Sequence, residues 1–494
     1  MKPESETAKV LPRWTTLSVT TLGAFMAAVD SNIVTIALPY ISKGLSAGYS
    51  LLGWVLAGYV LAVAALVLQS GKLGDIYGKK NVYLIGFAVF GVASALCGLS
   101  TNAYELIAFR VVQGVGASIM IATAIPMIFA SFPPSERGAA VGVNSVAWAV
   151  GAVAGPVLGG ALTAIDWRLI FYVNVPVAAL AIMVGRARIP GWLNARGGHV
   201  GKLNLFSASV LGVAIALVML WLTLLDLRLA PIAILGVVAF VIVELKSSNP
   251  ILNRELLKSR GFVYSVVSLG VLMTAFFGIV FVMSFYFQSV AGFLPLTAGL
   301  WIAPLPIALA VTNPLAGRVF DRIHRPAATS IGGAVVVLVS LLLLSSAIGT
   351  RAPGILVSVL LGLIGLGGGF VWAPSISSAL KFARPEMRGV ANGTAFTLIY
   401  IAFATSIALV ISISTAALPP GLAAQIHSGS VTGLGASSAS LFDQGLANAL
   451  VGLAVVGALG IPILFLLLRE QGRHFKAYIE AQAAPVTEKG TPSA

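Results

Sequence analysis

Charge is scarce in this chain. Only 9% of its 494 residues are charged while 58% are hydrophobic, a balance that excludes an ordinary soluble domain. Sulfur chemistry is nearly absent too. The single cysteine, Cys97, rules out a disulfide within the chain, and its place in an apolar run suits a small packing residue rather than a redox or metal ligand. The four histidines, His199, His324, His427 and His474, fall in predicted loops or the tail without metal-ligand spacing. There is no P-loop, so direct use of ATP is not expected. No catalytic constellation and no cofactor motif stands out, so the sequence reads as a non-enzyme. Strand-period alternation is missing as well, which excludes a membrane barrel.

What the chain has is long apolar runs. A bilayer core takes roughly 20 apolar residues per helical span, and fourteen stretches qualify: 15–40, 50–71, 81–99, 104–131, 138–163, 168–185, 203–225, 229–245, 261–288, 296–317, 327–348, 353–380, 388–417 and 444–468. The expected fold class is therefore an all-α polytopic membrane protein with fourteen transmembrane helices. The first run is far longer than a signal-peptide core and lacks a small-residue cleavage pattern, so helix one is expected to stay in the protein. The segment after Lys476 (AYIEAQAAPVTEKGTPSA) reads as disordered.

A formal net charge of +14 raises the question of a nucleic-acid partner. Position answers it. Apart from Lys43, Arg168, Arg228, Arg351 and the intramembrane Arg110, every lysine and arginine gathers at alternate ends of the spans. Positive-inside bias then places both termini in the cytoplasm, supports an even helix count and leaves no need for nucleic acid.

Two loop sequences occur twice. GKLGDIYGKK (71–80) matches GRVFDRIHRP (317–326) through Gly71, Asp75 and Lys79 against Gly317, Asp321 and Arg325. PSERGAAVGV (134–143) matches PEMRGVANGT (385–394) through Arg137, Gly138 and Gly142 against Arg388, Gly389 and Gly393. Repeats eight spans apart mean six helices, two inserted helices and six related ones. The expected organisation is a cytoplasmic segment (1–14), a six-helix bundle (15–185), linkers with the inserted pair (186–260), a second six-helix bundle (261–468) and a cytoplasmic tail (469–494).

At these residues the chain resembles the fourteen-helix drug:proton antiporters of the major facilitator superfamily. GKLGDIYGKK is similar to that superfamily's loop signature, with Lys79 and Lys80 where arginine is common. LIAFRVVQGVGAS (106–118) resembles its fourth-helix motif, GAVAGPVLGG (151–160) its fifth-helix antiporter motif, AVDSNIVTIALP its first-helix signature, and DWRLIFYVNVP (166–176) the signature opening its sixth helix. The resemblance implies the major facilitator fold and alternating access. It also implies a latch in which Asp75 lies by Arg388 and Asp321 by Arg137, with Gly78 in the first copy replaced by His324 in the second. Finally, it implies that Gly151, Gly155, Pro156, Gly159 and Gly160 favour export by antiport.

Physics gives each motif its own reading. Glycines spaced around Pro156 strip side chains from one helix face and remove a backbone hydrogen bond, so the fifth helix can bend and admit a close neighbour. Generic helix packing is the competing account, although the matching stretch of helix thirteen (IAFATSIALV) has no Gly-Pro. Asp75 with Lys79, and Asp321 with Arg325, can form ion pairs that are individually weak when exposed. Two charges lie deep in spans, Asp30 and Arg110, and a charge there is costly unless paired or hydrated, so both are proton-coupling candidates. Gln113 lies one turn from Arg110 on the same face. A structural Asp30–Arg110 ion pair is the alternative. Burial favours a neutral carboxyl and a nearby guanidinium favours the charged one, a balance left open at this stage.

Substrate contacts are expected from Asp30, Gln113, Trp148, Phe276, Phe277, Trp372 and Tyr400, with Met273, Phe281 and Tyr286 as further wall candidates; most aromatics in a bundle are nonetheless packing residues. Asn144, Asn313 and Asn392 are polar groups that helix–helix hydrogen bonds explain as well as ligands do. With Asp443 at a helix end the only acid of the second half's helices, few protons per cycle and monovalent over divalent cations are expected. The reading is a proton-coupled exporter of hydrophobic, cationic compounds, acting as a monomer in the cytoplasmic membrane with protons, small molecules and the bilayer as partners. An exporter of one endogenous metabolite or lipid, or a transport-inactive receptor or scaffold, are the alternatives.

Overall fold

Apolar runs of this length satisfy their backbone hydrogen bonds only as helices when no water is at hand, and helices are what form. In the computed structural model, residues 6–133, 135–194, 203–224, 226–323, 326–350, 352–384, 387–416, 418–419, 421–423, 426 and 436–483 are described, and none of them is in a strand. The first half runs α1 (Glu6–Leu45), α2 (Tyr49–Tyr77), α3 (Lys79–Leu99), α4 (Ala103–Ser131), α5 (Arg137–Thr163), α6 (Leu169–Tyr172) and α7 (Asn174–Arg188). The inserted pair is α8 (Leu205–Leu224) and α9 (Ala230–Lys246). After the short α10 (Arg254–Lys258), the second half runs α11 (Arg260–Phe285), α12 (Pro295–Ile302), α13 (Pro304–Ile323), α14 (Pro326–Gly349), α15 (Gly354–Lys381), α16 (Arg388–Ala416), α17 (Ala436–Ala458) and α18 (Gly460–Ala483).

Thirteen helical stretches among the described residues are long and apolar enough to cross a membrane. The fourteenth expected span is α9, whose 17 residues reach about 26 Å at 1.5 Å per residue, close to a hydrocarbon core. Three spans are interrupted. Val173 separates α6 from α7, Ala303 before Pro304 separates α12 from α13, and Leu459 separates α17 from α18.

Packing repeats across the halves. The dominant partners α1 with α5, α2 with α4 and α3 with α4 recur eight spans later as α11 with α16, α13 with α15 and α14 with α15. The halves meet where α2 lies on α16, α5 on α12 and α13, and α1 on α11. Helix α8 leans on the α2–α16 seam, and α9 packs on α8 with Ile234, Leu235 and Val241 exposed as lipid-facing side chains.

We call the face from which α1 enters the terminal face and its opposite the distal face. At the distal face the halves are sealed. Ser284 Oγ donates to the Thr35 carbonyl at 2.8 Å and Gln288 Nε2 to that of Ile36 at 2.9 Å. The Tyr49 ring packs against Phe281, Phe285 and Phe442 with centroids 4.9–5.5 Å apart. A π-helical turn over Tyr286–Val290 ends α11 at this seal.

Two boundaries differ from expectation. Helix α17 starts at Ala436, inside a stretch whose Ser and Gly content reads as a loop, because Phe442 is buried in the aromatic seal and packing overrides weak propensity. Asp443 consequently lies within α17, 4% exposed, rather than at a helix end. Helix α18 continues past Lys476 to Ala483, while the rest of the tail expected to be disordered lies outside the described residues.

Candidate functional site

Asp30 sits mid-way along α1 with no exposed surface, and Arg110 of α4 is 1% exposed. Their charges meet: Arg110 Nη1 lies 2.5 Å from Asp30 Oδ2. Gln113 Nε2 donates to Asp30 Oδ1 at 2.8 Å and to Ser94 Oγ at 2.7 Å, while its Oε1 accepts from Arg110. Arg110 Nε donates to the Val55 carbonyl of α2 at 3.2 Å. The guanidinium lies 4.4 Å from the centroid of the Tyr59 ring and 6.0 Å from that of Phe171. A buried charge pair of this kind persists only when its remaining donors and acceptors are satisfied, and here the Val55 carbonyl of α2 and side chains of α3, α4 and α7 gather around it.

The third donor to Asp30 is Asn174, whose Nδ2 lies 3.2 Å from Oδ1. Asn174 is the first residue of α7, and the backbone through Val173 stays in the α region, so Asn174 reaches the acid from within the sixth span. Sequence reasoning did not single it out. The signal was in FYVNVP, where one asparagine sits among apolar residues two places before a proline. Ser94 and Tyr59 were missed because a serine or tyrosine in a span carries no distinctive signal. Asp30, Arg110 and Gln113 are thus brought together as expected residues, and the ion-pair alternative is the arrangement observed.

The glycine motif of α5 lets that helix pack closely on α1. A Cβ on Gly151 would stand 2.8 Å from the Phe25 carbonyl, one on Gly155 2.6 Å from Asn32 Cβ, and one on Gly159 2.8 Å from the Ile33 carbonyl. These contacts run along the α1 face formed by Phe25, Ala28, Val29, Asn32 and Ile33, away from the face on which Asp30 meets α4 and α7. The other half approaches the same motif: a Cβ on Gly160 would stand 2.5 Å from the Pro295 carbonyl, and one on Gly299 would collide with the Pro156 carbonyl. Close packing, the competing account of these glycines, is therefore present.

At the terminal face, Asp75 pairs with Lys79 at 2.9 Å. Gly78 has φ +94° between α2 and α3, a conformation that disfavours any side chain, and a Cβ there would meet Asn194. Gly71 faces open space apart from Ala122. Arg137 donates from Nε to the Phe132 carbonyl at 3.0 Å, and Arg388 is exposed with no ion pair among the described residues. The start of α16 does reach α2, since a Cβ on Gly393 would meet Leu68. Asp75 and Arg388 are thus not joined in this conformation. Of the second copy, Arg325 and the Asp321 side chain lie outside the described residues.

The expected aromatic wall divides. Phe277 stacks on Phe403 at 4.6 Å, with Trp372 and Phe276 edge-on at 6.2 and 6.1 Å. Phe276 is 5% exposed against Gly368 and serves as core of the second half. Tyr400 is buried on α16, the helix that packs on α2 across the seam between halves, and Trp148 of α5 is half-buried. Asn144 Nδ2 and Asn313 Oδ1 are buried without a hydrogen-bond partner. No group of metal-ligating side chains is present among the described residues.

Repeated helical halves with a sealed distal face and a charge pair in the membrane define a transporter rather than an enzyme. The chain belongs to the Major Facilitator Superfamily, whose family model matches residues 20–407. An uncharacterized transporter of that type from Mycobacterium tuberculosis is 33% identical over 77% of this chain, which spans 66% of that relative's length. The Multidrug resistance protein Stp of Mycobacterium tuberculosis is 31% identical over 76% of this chain and 71% of its own. The fold is similar to that of a bacterial homolog of the human lysosomal transporter Spinster, inward-facing and unoccupied, with a TM-score of 0.66, 16% identity and coverage of 95% of this chain and 98% of that one.

Proposed function

We propose that this protein is a proton-coupled antiporter that exports hydrophobic drugs or toxic compounds across the cytoplasmic membrane by alternating access, with Asp30 as the proton site. The observation that carries the reading is Asp30 itself, a carboxylate with no exposed surface in the middle of a span, held by donors from α4 and α7. Arg110 ties Asp30 to the α2 backbone through Val55. A proton arriving on Asp30 removes the charge that Arg110 answers, and Arg110 then retains Gln113, the Val55 carbonyl and the faces of Tyr59 and Phe171. The tie between α1, α2 and α4 is weakened, so the packing of α1 on α5 becomes free to change in step with protonation. Loss of the proton restores the pair, and alternation between the two arrangements moves the substrate path from one face to the other.

Both termini are assigned to the cytoplasm, which makes the terminal face the inner one and this conformation closed to the outside. The latch residues Asp75 and Arg388, with Asp321, Arg325 and Arg137, are assigned to the opposite conformation, where the inner face closes. A preference for cations requires Asp30 to be free of Arg110 when substrate binds. Multidrug resistance in the relative's name supports hydrophobic drugs as the substrates.

The test is substrate-induced proton release from purified protein, wild type against Asp30→Asn, with monovalent and divalent lipophilic cations and neutral compounds. Release that vanishes in the variant is expected. Release that persists at wild-type stoichiometry would move coupling to another residue.

A further inference from the structure

Asp30 has three donors, and they are not equally committed. Arg110 is held by Asp30, Gln113 and the Val55 carbonyl, with the Tyr59 ring against its guanidinium. Gln113 commits both ends of its amide: Oε1 accepts from Arg110, while Nε2 donates to Asp30 and to Ser94. Asn174 makes a single side-chain hydrogen bond, from Nδ2 to Asp30 Oδ1 at 3.2 Å, and its Oδ1 accepts from none of the described residues. Of the groups around the acid, this amide alone can turn over without breaking a second hydrogen bond.

Protonation makes that freedom matter. A carboxylate only accepts, whereas a buried carboxylic acid carries an O–H that needs an acceptor. Both Asp30 oxygens face donors: Oδ2 faces Arg110, and Oδ1 faces the amides of Gln113 and Asn174. Turning Gln113 would forfeit its bonds to Ser94 and Arg110. Turning Asn174 exchanges Nδ2 for Oδ1 and sets an acceptor against a protonated Asp30 Oδ1. The other titratable groups at the site are Tyr59 of α2, against Arg110, and Cys97 of α3, whose Sγ lies 3.9 Å from Gln113 Oε1. Helices α5, α7 and α11 carry charge only at their terminal-face ends, on Arg137, Arg186, Arg188 and Arg260, and α6 and α12 carry none.

The second half supplies a comparison within the same chain. TLGAFMAAVD (21–30) matches SLGVLMTAFF (268–277) through Leu22, Gly23, Met26 and Ala28 against Leu269, Gly270, Met273 and Ala275, which sets Phe277 at the place of Asp30. RVVQGVG (110–116) matches LGLIGLG (361–367) through its two glycines, which sets Leu361 and Ile364 at the places of Arg110 and Gln113. NVP (174–176), after the interruption at Val173, matches GIP (460–462), after that at Leu459. Gly460 thus takes the place of Asn174, and it too meets the first helix of its half, since a Cβ there would stand 3.0 Å from Leu272. Acid, guanidinium and both amides are replaced together, while the helix interruption forms without an asparagine. Asn174 therefore goes with the acid rather than with the interruption.

We infer that Asn174 is a positioning residue for the proton step: its amide donates from Nδ2 to the Asp30 carboxylate and turns over to accept through Oδ1 from the protonated acid. This rests on the reading of Asp30 as the proton site. The proton stays on Asp30 throughout. The sixth span consequently keeps its hold on α1 in both states, while the charge attraction from α4 comes and goes.

The experiment is infrared difference spectroscopy between high and low pH on the full-length protein in detergent, for the wild type, Asp30→Asn, Asn174→Leu and Asn174→Ala. Each is made with and without isotope in the asparagine side-chain carbonyl, and thermal unfolding confirms that each is folded. A carboxylic acid whose O–H loses its acceptor has a higher C=O stretching frequency. In the wild type we expect a protonated-carboxyl band that is lost in Asp30→Asn, accompanied by an isotope-sensitive amide signal. In both Asn174 variants the carboxyl band is expected to persist at higher frequency, with the amide signal gone. A carboxyl band unmoved in both variants, or an amide signal that survives them, would overturn the role of Asn174 alone. A wild-type carboxyl band that survives Asp30→Asn unchanged would overturn the proton-site reading and this inference with it.

Discussion

Asp30 and Arg110 are each harmful alone. Removing one partner of a buried pair leaves an uncompensated charge and costs about 3–5 kcal/mol. Arg110→Ala, which strands Asp30, is therefore expected to lower the unfolding temperature sharply in a thermal melt. The double variant Asp30→Asn with Arg110→Gln removes both charges and is expected to recover most of that stability while showing no substrate-induced proton release. Recovery of release together with stability would assign coupling elsewhere. The acid, the guanidinium and Gln113 were legible in the sequence because polar atoms in apolar spans are costly and so stand out. Asn174 was not, since it reaches Asp30 from 144 residues away, and which helix faces the acid is not written in composition.

The close packing of α1 on α5 depends on what α5 lacks. With Asn32 and Pro295 at the positions a Cβ would take, Gly155→Leu and Gly160→Leu are expected to push α5 off α1 and α12, abolishing transport in vesicle flux assays and lowering stability by several kcal/mol, as overpacking of a close interface does. Gly142→Ala, on the same helix with nothing within 4 Å of the added carbon, is expected to leave both unchanged. At the α2–α3 turn, Gly78→Ala carries a different penalty, since φ +94° strains any side chain, and a loss of roughly 1–3 kcal/mol in unfolding free energy is expected. The sequence announced a small-residue face around Pro156 but could not name its partners. A glycine stripe says that something approaches closely, and only the fold says that α1 lies on one side and α12 on the other.

For the molecule as a whole, the distal seal joins the halves through Thr35 with Ser284 and through Tyr49 with Phe281, Phe285 and Phe442. A cysteine pair at Thr35→Cys and Ser284→Cys is expected to crosslink under oxidation and stop transport, with reduction restoring it. The native Cys97 is buried and stays out of the reaction. Transport that continues after complete crosslinking would show that this seal need not open. The eight-span repeat of loop motifs foreshadowed the repeated packing of the halves, because related sequences bury related faces. In this conformation Asp75 of α2 pairs with Lys79 at the start of α3, across the Gly78 turn, and Arg388 is exposed.

By itself the sequence determined the solvent, the number of spans and the identity of the deep charges. Each of these follows from the cost of placing polar atoms in hydrocarbon, which acts on every residue wherever the chain goes. It also determined that two halves are related, since repetition is written along the chain. The tertiary structure alone decided that Asp30 is engaged by Arg110, Gln113 and Asn174 and that the seal forms at the distal face. Those outcomes depend on which helices become neighbours and at what register, and hydrogen bonds between residues 80 to 252 positions apart have no local signature.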